Sequence, residues 1–148
     1  MGEQQGFGWD DRYLLGHPVM DDTHREFVEL VDALLRVGDD GLGEALSAFA
    51  QHAKAHFDQE NRWMELEGFP ARECHVDEHN KVLASVCEVQ QELAEGNTQL
   101  VRQLATALMD WFPAHADYMD SALATWLVKR SHGGRPLVFR RDSKREPA

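Results

Sequence analysis

Four stretches of this chain repeat apolar residues every three to four positions, and only short breaks separate them. The first carries Phe27, Leu30, Val31, Leu34 and Leu35, an i, i+3, i+4, i+7, i+8 stripe that stops at GDDG. The second runs from about Leu42 to Leu66, with Leu46, Phe49, Ala53, Phe57 and Met64 on its apolar side, and ends at EGFP. The third runs from about Ala71 to Ala94 and ends at Gly96-Asn97; the fourth starts near Thr98, reaches about Arg130 and ends at SHGGRP. THRE offers Thr23 as the N-cap of the first helix, with Glu26 as its capping-box partner. Amphipathic helices joined by short connections lie antiparallel to their neighbours, so the expected fold is all-α, an up-down-up-down antiparallel four-helix bundle. Residues 1–20 read as an N-terminal arm with Phe7, Trp9 and Tyr13, residues 21–130 as the bundle, and residues 131–148 as a basic tail, extended or disordered.

A single domain of 148 residues buries a core without covalent staples. Cys74 and Cys87 fall thirteen residues apart on one expected helix and cannot meet, which fits a reducing compartment and small semi-buried side chains. No run of 18 apolar residues is present, so no membrane span is expected. The N-terminus lacks a basic start followed by an apolar block, and the expected location is the cytoplasm. The net charge of −11 is uneven: residues 129–148 carry seven Lys/Arg against Asp142 and Glu146, leaving a strongly acidic body. Such a body argues against nucleic-acid binding by the main domain.

The histidines carry the functional signal. His24 opens the first helix, and HAKAHFDQE places His52, His56 and Glu60 four residues apart on one face of the second. HVDEH puts His75 and His79 at i, i+4 on the third, and HADYMD puts His115 and Asp120 at i, i+5 on the fourth. A lone helical His is usually an ordinary surface or core residue. Ligand pairs on three consecutive helices plus a His on the first are different, because in an antiparallel bundle the middles of all four helices meet. Burying several imidazoles and two carboxylates without partners costs several kcal/mol, roughly, and a metal centre removes that cost.

Seven converging ligands exceed what four-coordinate zinc accepts. They suit two six-coordinate ions bridged by the two carboxylates, since a carboxylate has two oxygens to share and an imidazole one lone pair. Imidazole and carboxylate without thiolate favour iron, although zinc or manganese can occupy such ligands.

On these residues the chain resembles the bacterial hemerythrins, single-domain di-iron proteins that bind dioxygen. The resemblance rests on WDDRYLLGHPVMDDTH (Trp9, Tyr13, Gly16, Asp21, His24), HFDQENRWM (His56, Glu60, Met64), EGFPARECHVDEH (His75, His79) and WFPAHADYMD (Trp111, His115, Asp120), in order across residues 9 to 128. It implies that His75, His79 and His115 hold one iron, that His24 and His56 hold the other, and that Glu60 and Asp120 bridge them. A bridging oxo or hydroxo group completes the implied centre, and dioxygen binds at the iron with fewer protein ligands. His52, one further turn away and roughly 6 Å along the axis, is then not a ligand. His17 and His132 are expected to be solvated or hydrogen-bonded to neighbours.

The implied function is reversible dioxygen binding as a carrier, store or delivery protein rather than an enzyme. Five neutral imidazoles supply less negative charge than the carboxylate-rich sets of di-iron oxygenases. The alternatives on the same ligands are a di-iron peroxidase, a nitric-oxide reductase, or an oxygen or redox sensor. A dioxygen-consuming enzyme or a reductant is the macromolecular or redox partner such a role implies. Phe57, Trp63, Met64, Trp111 and Met119 are expected to line a dry pocket, and Asp21, Asp77, Glu78 and Asp117 are candidates to orient imidazole N–H groups. Pro113 removes one helical amide and predicts a kink, while the i, i+5 spacing of His115 and Asp120 predicts distortion between them. Asn61 stands where many hemerythrins have Glu, with only a surface or second-layer charge effect expected.

Overall fold

The computed structural model describes residues 6–131, so the expectations for His132 and for the basic tail beyond Ser131 lie outside the described residues. Within them, α1 spans Pro18–Arg36, α2 Leu42–Leu66, α3 Arg72–Ala94, α4 Thr98–His115 and α5 Ser121–Ser131, with a π-helical turn at Ala116–Asp120 joining α4 to α5. Helix α1 packs on α2 and α4, and α3 packs on the same two, which closes the four-helix bundle.

The first helix starts earlier than the capping-box reading expects. Pro18 occupies its first turn, where the missing N–H does no harm, and His17 is the N-cap, its Nδ1 accepting from the Met20 amide at 3.2 Å. Thr23 lies inside the helix and donates its hydroxyl to the Val19 carbonyl at 3.0 Å. Pro18, Val19 and Met20 therefore belong to α1 and not to the arm. The ends of α2 and α3 obey their glycines. At Gly68 (φ +62°) and Gly96 (φ +93°) the chain turns left-handed, and the following amide reaches back to a carbonyl five residues earlier: Phe69 to Met64 and Asn97 to Glu92, both at 2.9 Å.

The long fourth stretch departs from a regular helix at the expected place. Helix α4 continues through Pro113 to His115, and the irregularity occupies Ala116–Asp120, between the two polar residues of the motif. In a regular helix, residues five apart point roughly 140° away from each other. The wider π turn brings His115 and Asp120 back toward one side.

On α1, on α2 and on the stretch from α4 to α5 the buried residues follow the same order, apolar, polar, apolar, whereas α3 buries its two histidines first and its valines after them. A large core contains Phe27, Leu34, Leu42, Phe49, Val86, Leu104 and Phe112. A smaller one at the other end contains Met20, Met64, Phe69, Leu123 and Leu127. The polar residues in this order are His24, His56 and Glu60, His75 and His79, and His115 and Asp120, all buried. Cys74 and Cys87 are both free and exposed, more open than the semi-buried placement expected.

The arm is strapped to the bundle. The Phe7 amide donates to Asp32 Oδ1 at 2.8 Å, and the same carboxylate holds the Arg36 guanidinium at 2.9 Å. Asp21 accepts from the Leu15 and Gly16 amides at 2.8 and 3.2 Å. Between these anchors the Phe7 and Tyr13 rings meet Phe112 edge-on at 6.0 and 5.3 Å, and Arg25 sits 4.9 Å over Trp9.

Truncating Phe49, which is fully buried against Phe27 at 5.4 Å, is expected to lower unfolding free energy by about 3–5 kcal/mol, read from urea titration of Phe49→Ala. Asp32→Ala is expected to abolish hydrogen-exchange protection of the Phe7 amide while the amides of α1 to α5 keep theirs. Equal protection in variant and wild type would count against the strap.

Candidate metal centre

Seven polar side chains meet in the middle layer. His24, His56, Glu60, His115 and Asp120 stand between buried apolar residues of their own helical stretches, and His75 and His79 precede the buried Val82, Val86 and Val89, so packing those apolar residues brings the seven to one level. Their exposure is at most 6% for His115 and Asp120 is at 1%, which removes water as the partner for their charges.

The distances divide the group in two. Glu60 Oε2 lies 2.9 Å from His56 Nε2 and 3.5 Å from His24 Nε2. Its other oxygen, Oε1, lies 3.1 Å from His79 Nε2 and 3.6 Å from His75 Nε2. Asp120 repeats the pattern: Oδ2 is 3.1 Å from His24 Nε2, while Oδ1 is 2.9 Å from His75 Nε2 and 3.2 Å from His115 Nε2. Each carboxylate thus turns one oxygen to the side of His24 and His56, Glu60 to both and Asp120 to His24, and the other to the opposite side, Glu60 to His75 and His79 and Asp120 to His75 and His115. All five imidazoles present Nε2. Donor atoms of two subsets, Glu60 with His75, His79, His115 and Asp120, and His24 with His56 and Glu60, each lie within 4.8 Å of one another, close enough to hold a metal ion.

The residues fit such an ion on a second count. His24 Nε2, His79 Nε2, His115 Nε2 and Glu60 Oε1 are buried and make no hydrogen bond, although each has an opposite partner about 3 Å away. Close approach without hydrogen-bond alignment is what lone pairs directed at a common centre produce. Imidazole and carboxylate donors without thiolate suit a first-row cation of borderline hardness.

In the metal-free chain these groups hold opposite charges against one another. Burial pushes both carboxyls up, and Asp120 adds repulsion at Glu60. Both nevertheless sit well below the ordinary carboxylate range, because His56 and His24 at Glu60, and His115, His24 and His75 at Asp120, outweigh those costs. Burial likewise opposes charge on His24, but Asp120 and Glu60 pull its pKa up to about 10. His115 is raised against burial chiefly by Asp120, whereas at His79 burial wins and the imidazole is pushed down.

Around this layer the aromatic rings fix imidazole planes. Phe57 stacks on His79 at 4.1 Å and Trp111 on His115 at 4.2 Å; Phe112 meets His24 edge-on at 5.3 Å and Phe27 meets His56 at 5.9 Å. Trp63 lies against His17 instead, 4.9 Å away, and Met64 belongs to the small apolar core.

Of the four candidate orienting residues, Glu78 comes nearest the role: its Oε1 accepts from Trp111 Nε1 at 3.0 Å and lies 3.5 Å from His115 Nδ1, which makes no hydrogen bond. Asp21 anchors the arm, Asp77 faces Lys81 on the surface at 3.7 Å, and Asp117 is exposed. His52 turns away from the layer and pairs with Glu26 at 3.1 Å, as its extra turn of helix requires. Asn61, to which sequence reading gave only a charge effect, meets His79 Nδ1 at 2.8 Å. Its partner lies 18 residues on, in another helix, so only the register of α2 against α3 reveals the contact.

The hemerythrin HHE cation binding domain family matches residues 15–127. A bacteriohemerythrin of Ralstonia nicotianae is 39% identical over 127 residues, covering 86% of this chain and 93% of the relative. One from Methylococcus capsulatus is 23% identical over 104 residues, 68% of this chain and 79% of the relative. Among solved structures, a hemerythrin point mutant superposes with a TM-score of 0.75 at 19% identity, covering 83% of this chain and 98% of that one. Wild-type hemerythrin gives 0.73 at 20% identity, with 80% and 95% covered. These structures show the shared four-helix fold.

The charges make the metal-free chain sensitive to pH in both directions. The contribution of His24, whose folded pKa is raised, is fully present below 6.5 and is lost as pH climbs toward about 10. The contribution of Glu60 and Asp120, whose folded values are depressed, is present above 4.5 and 3.8 and drains away as pH falls. The urea midpoint of the metal-free chain is therefore expected to fall as pH climbs from 6.5 toward about 10 and to fall as pH drops below 4.5, with His79, whose value is pushed down, adding a loss below 6.5. A midpoint that holds constant from pH 6.5 to 10 would contradict the assignment for His24.

Proposed function

This chain belongs to the hemerythrin family, and from that premise we propose that it binds dioxygen reversibly at two iron ions, as a carrier, store or delivery protein. The family model that matches describes a cation binding domain, and the similar curated proteins are bacteriohemerythrins, which supports a metal-dependent role. In this proposal His75, His79 and His115 hold one iron, His24 and His56 hold the other, and Glu60 and Asp120 bridge, together with an oxo or hydroxo group.

The observation that carries the reading is the division of each carboxylate between the same two sets of imidazoles. A single ion has no use for that division, whereas two ions side by side require it. When bound at these residues, an iron pair would supply the electrons that reversible dioxygen binding needs.

The chain's own residues supply the rest. The set with His24 and His56 contributes one imidazole fewer than the other, so that side has the weaker protein claim on its ion and is the side proposed for dioxygen. Phe27 and Phe112, stacked 5.1 Å apart, cover it with apolar surface. Phe7 and Tyr13 close over Phe112 from outside and keep water back. Exclusion of water and protons there favours release of dioxygen intact over oxidation of the centre. Glu78 behind His115, and the stacked Trp111, hold that imidazole in place on the three-histidine side. Among the described residues no helix is long and apolar enough to cross a membrane.

The direct test is to load the chain with ferrous iron without air, admit dioxygen, and follow visible absorption through repeated oxygenation and deoxygenation. A charge-transfer band that appears and disappears over several cycles is the expected result. Immediate, irreversible oxidation without that band would overturn reversible carriage and point to redox catalysis or sensing. Glu60→Ala and Asp120→Ala are expected to hold fewer than two irons per chain by metal analysis, while His52→Ala holds the wild-type amount, since His52 faces Glu26.

A further inference from the structure

The five imidazoles of the centre differ in what stands behind them. A neutral imidazole has one N–H and one lone pair, and whichever nitrogen faces a metal must carry the lone pair. The Nδ1 atoms of His24, His56, His75 and His115 are buried and make no hydrogen bond, although His115 has the Glu78 carboxylate at 3.5 Å. His79 alone of the five has an Nδ1 hydrogen bond among the described residues, 2.8 Å from Asn61 Oδ1. Asn61 follows Glu60 on α2, and the helix turns about 100° per residue, so its side chain leaves the cluster and reaches the far edge of the His79 ring.

Two restraints then act on one ring. Phe57 lies flat against His79, 4.1 Å away and 7° from parallel, which sets the plane of the imidazole. Stacking cannot tell the two faces of that plane apart: half a turn about χ2 leaves the plane unchanged and swaps Nε2 for a carbon. The bond to Asn61 breaks the tie. With Oδ1 as acceptor the proton resides on Nδ1, and the Nε2 lone pair faces Glu60 Oε1, 3.1 Å away. If the amide nitrogen of Asn61 donated instead, Nε2 would carry the proton and offer no lone pair.

We propose that Asn61 is a positioning residue that holds His79 in the Nδ1–H tautomer and, as an uncharged acceptor, keeps Nε2 a weaker electron donor than a carboxylate partner would. This rests on the reading of His79 as an iron ligand. A carboxylate behind an imidazole draws its proton and raises ligand basicity, which stabilises the more oxidised metal; a neutral amide orients the ring without that bias. The three-histidine set then contains both kinds of acceptor, an amide behind His79 and a carboxylate near His115.

Two variants of the iron-loaded chain and one measurement on the zinc-loaded chain test this. Asn61→Leu removes the acceptor without adding charge, and is expected to release iron to a chelator about 10–100-fold faster and to raise the reduction potential of the iron pair. Asn61→Asp keeps the acceptor and charges it, and is expected to lower that potential with no faster iron loss. Thermal unfolding of each variant separates these shifts from general loss of fold, which would not move the potential in opposite directions. In the wild type loaded with diamagnetic zinc, nitrogen-15 NMR is expected to find the His79 proton on Nδ1. Wild-type iron retention and potential in Asn61→Leu, a shift in Asn61→Asp alone, or a proton on Nε2 would each overturn the proposal. A wild-type chain that takes up no iron would overturn the underlying metal reading together with it.

Discussion

Glu60 and Asp120 are two carboxylates at the centre of a helical bundle, nearly devoid of solvent, and the rest of the structure is arranged around that fact. A buried carboxylate is tolerated only when opposing charge or good donors surround it. Here five imidazoles do so, each through Nε2, and none comes from the helix segment next to the carboxylate it completes except His56 beside Glu60 and His115 beside Asp120. The polar layer therefore ties all four helices to one another at a single level. Hydrophobic burial above and below makes the bundle compact, but the layer dictates the vertical register, because a shift of one turn in any helix would leave a carboxylate facing apolar side chains.

The backbone yields where side-chain chemistry demands it. His115 and Asp120 cannot both face inward from a regular helix at their spacing, and the chain inserts a π turn at Ala116–Asp120 instead of losing either one. Pro113, three residues before that turn, lacks the amide that would bond to the Met109 carbonyl, yet α4 continues through it to His115. Beyond the turn, Leu123 and Leu127 resume burial in the small core, and Trp126 donates to the Glu67 carbonyl at 2.9 Å, locking α5 to the end of α2. A local departure from helix geometry thus serves the site while both flanking segments pack as ordinary helix.

The arm extends this logic to the outside of the bundle. Its two carboxylate anchors, Asp32 and Asp21, both stand on α1 and both accept backbone amides, so the arm is held by its main chain and presents its rings inward. Phe7 and Tyr13 reach Phe112, Phe112 reaches His24, and a continuous aromatic path runs from the surface to the two-histidine side of the centre. The three-histidine side is backed differently, by Trp111 and Phe57 stacked on imidazoles and by the polar groups of Glu78 and Asn61. The two halves of the polar layer are thereby given unlike surroundings, apolar on one side and hydrogen-bonded on the other.

The periodic apolar stripes were enough to reveal four helices, their antiparallel order and, to within a residue, the span of α2. Histidines and carboxylates at i, i+4 and i, i+5 announced a polar layer, since short-range spacing on a helix directly determines which side chains share a face. The i, i+5 interval predicts a distortion, which the structure shows to be a π turn. The start of α1 differs from the THRE reading because His17 caps the helix six residues before Thr23, with Pro18 in the first turn, and local propensity does not rank two competing caps. What no spacing along one helix could disclose is which groups meet between helices: the division of each carboxylate between two sets of imidazoles, Asn61 behind His79, Glu78 shared by Trp111 and His115, and Phe7 over Phe112. Those contacts depend on the register and rotation of whole helices, which the packing of both apolar cores and the charge balance of the layer decide together.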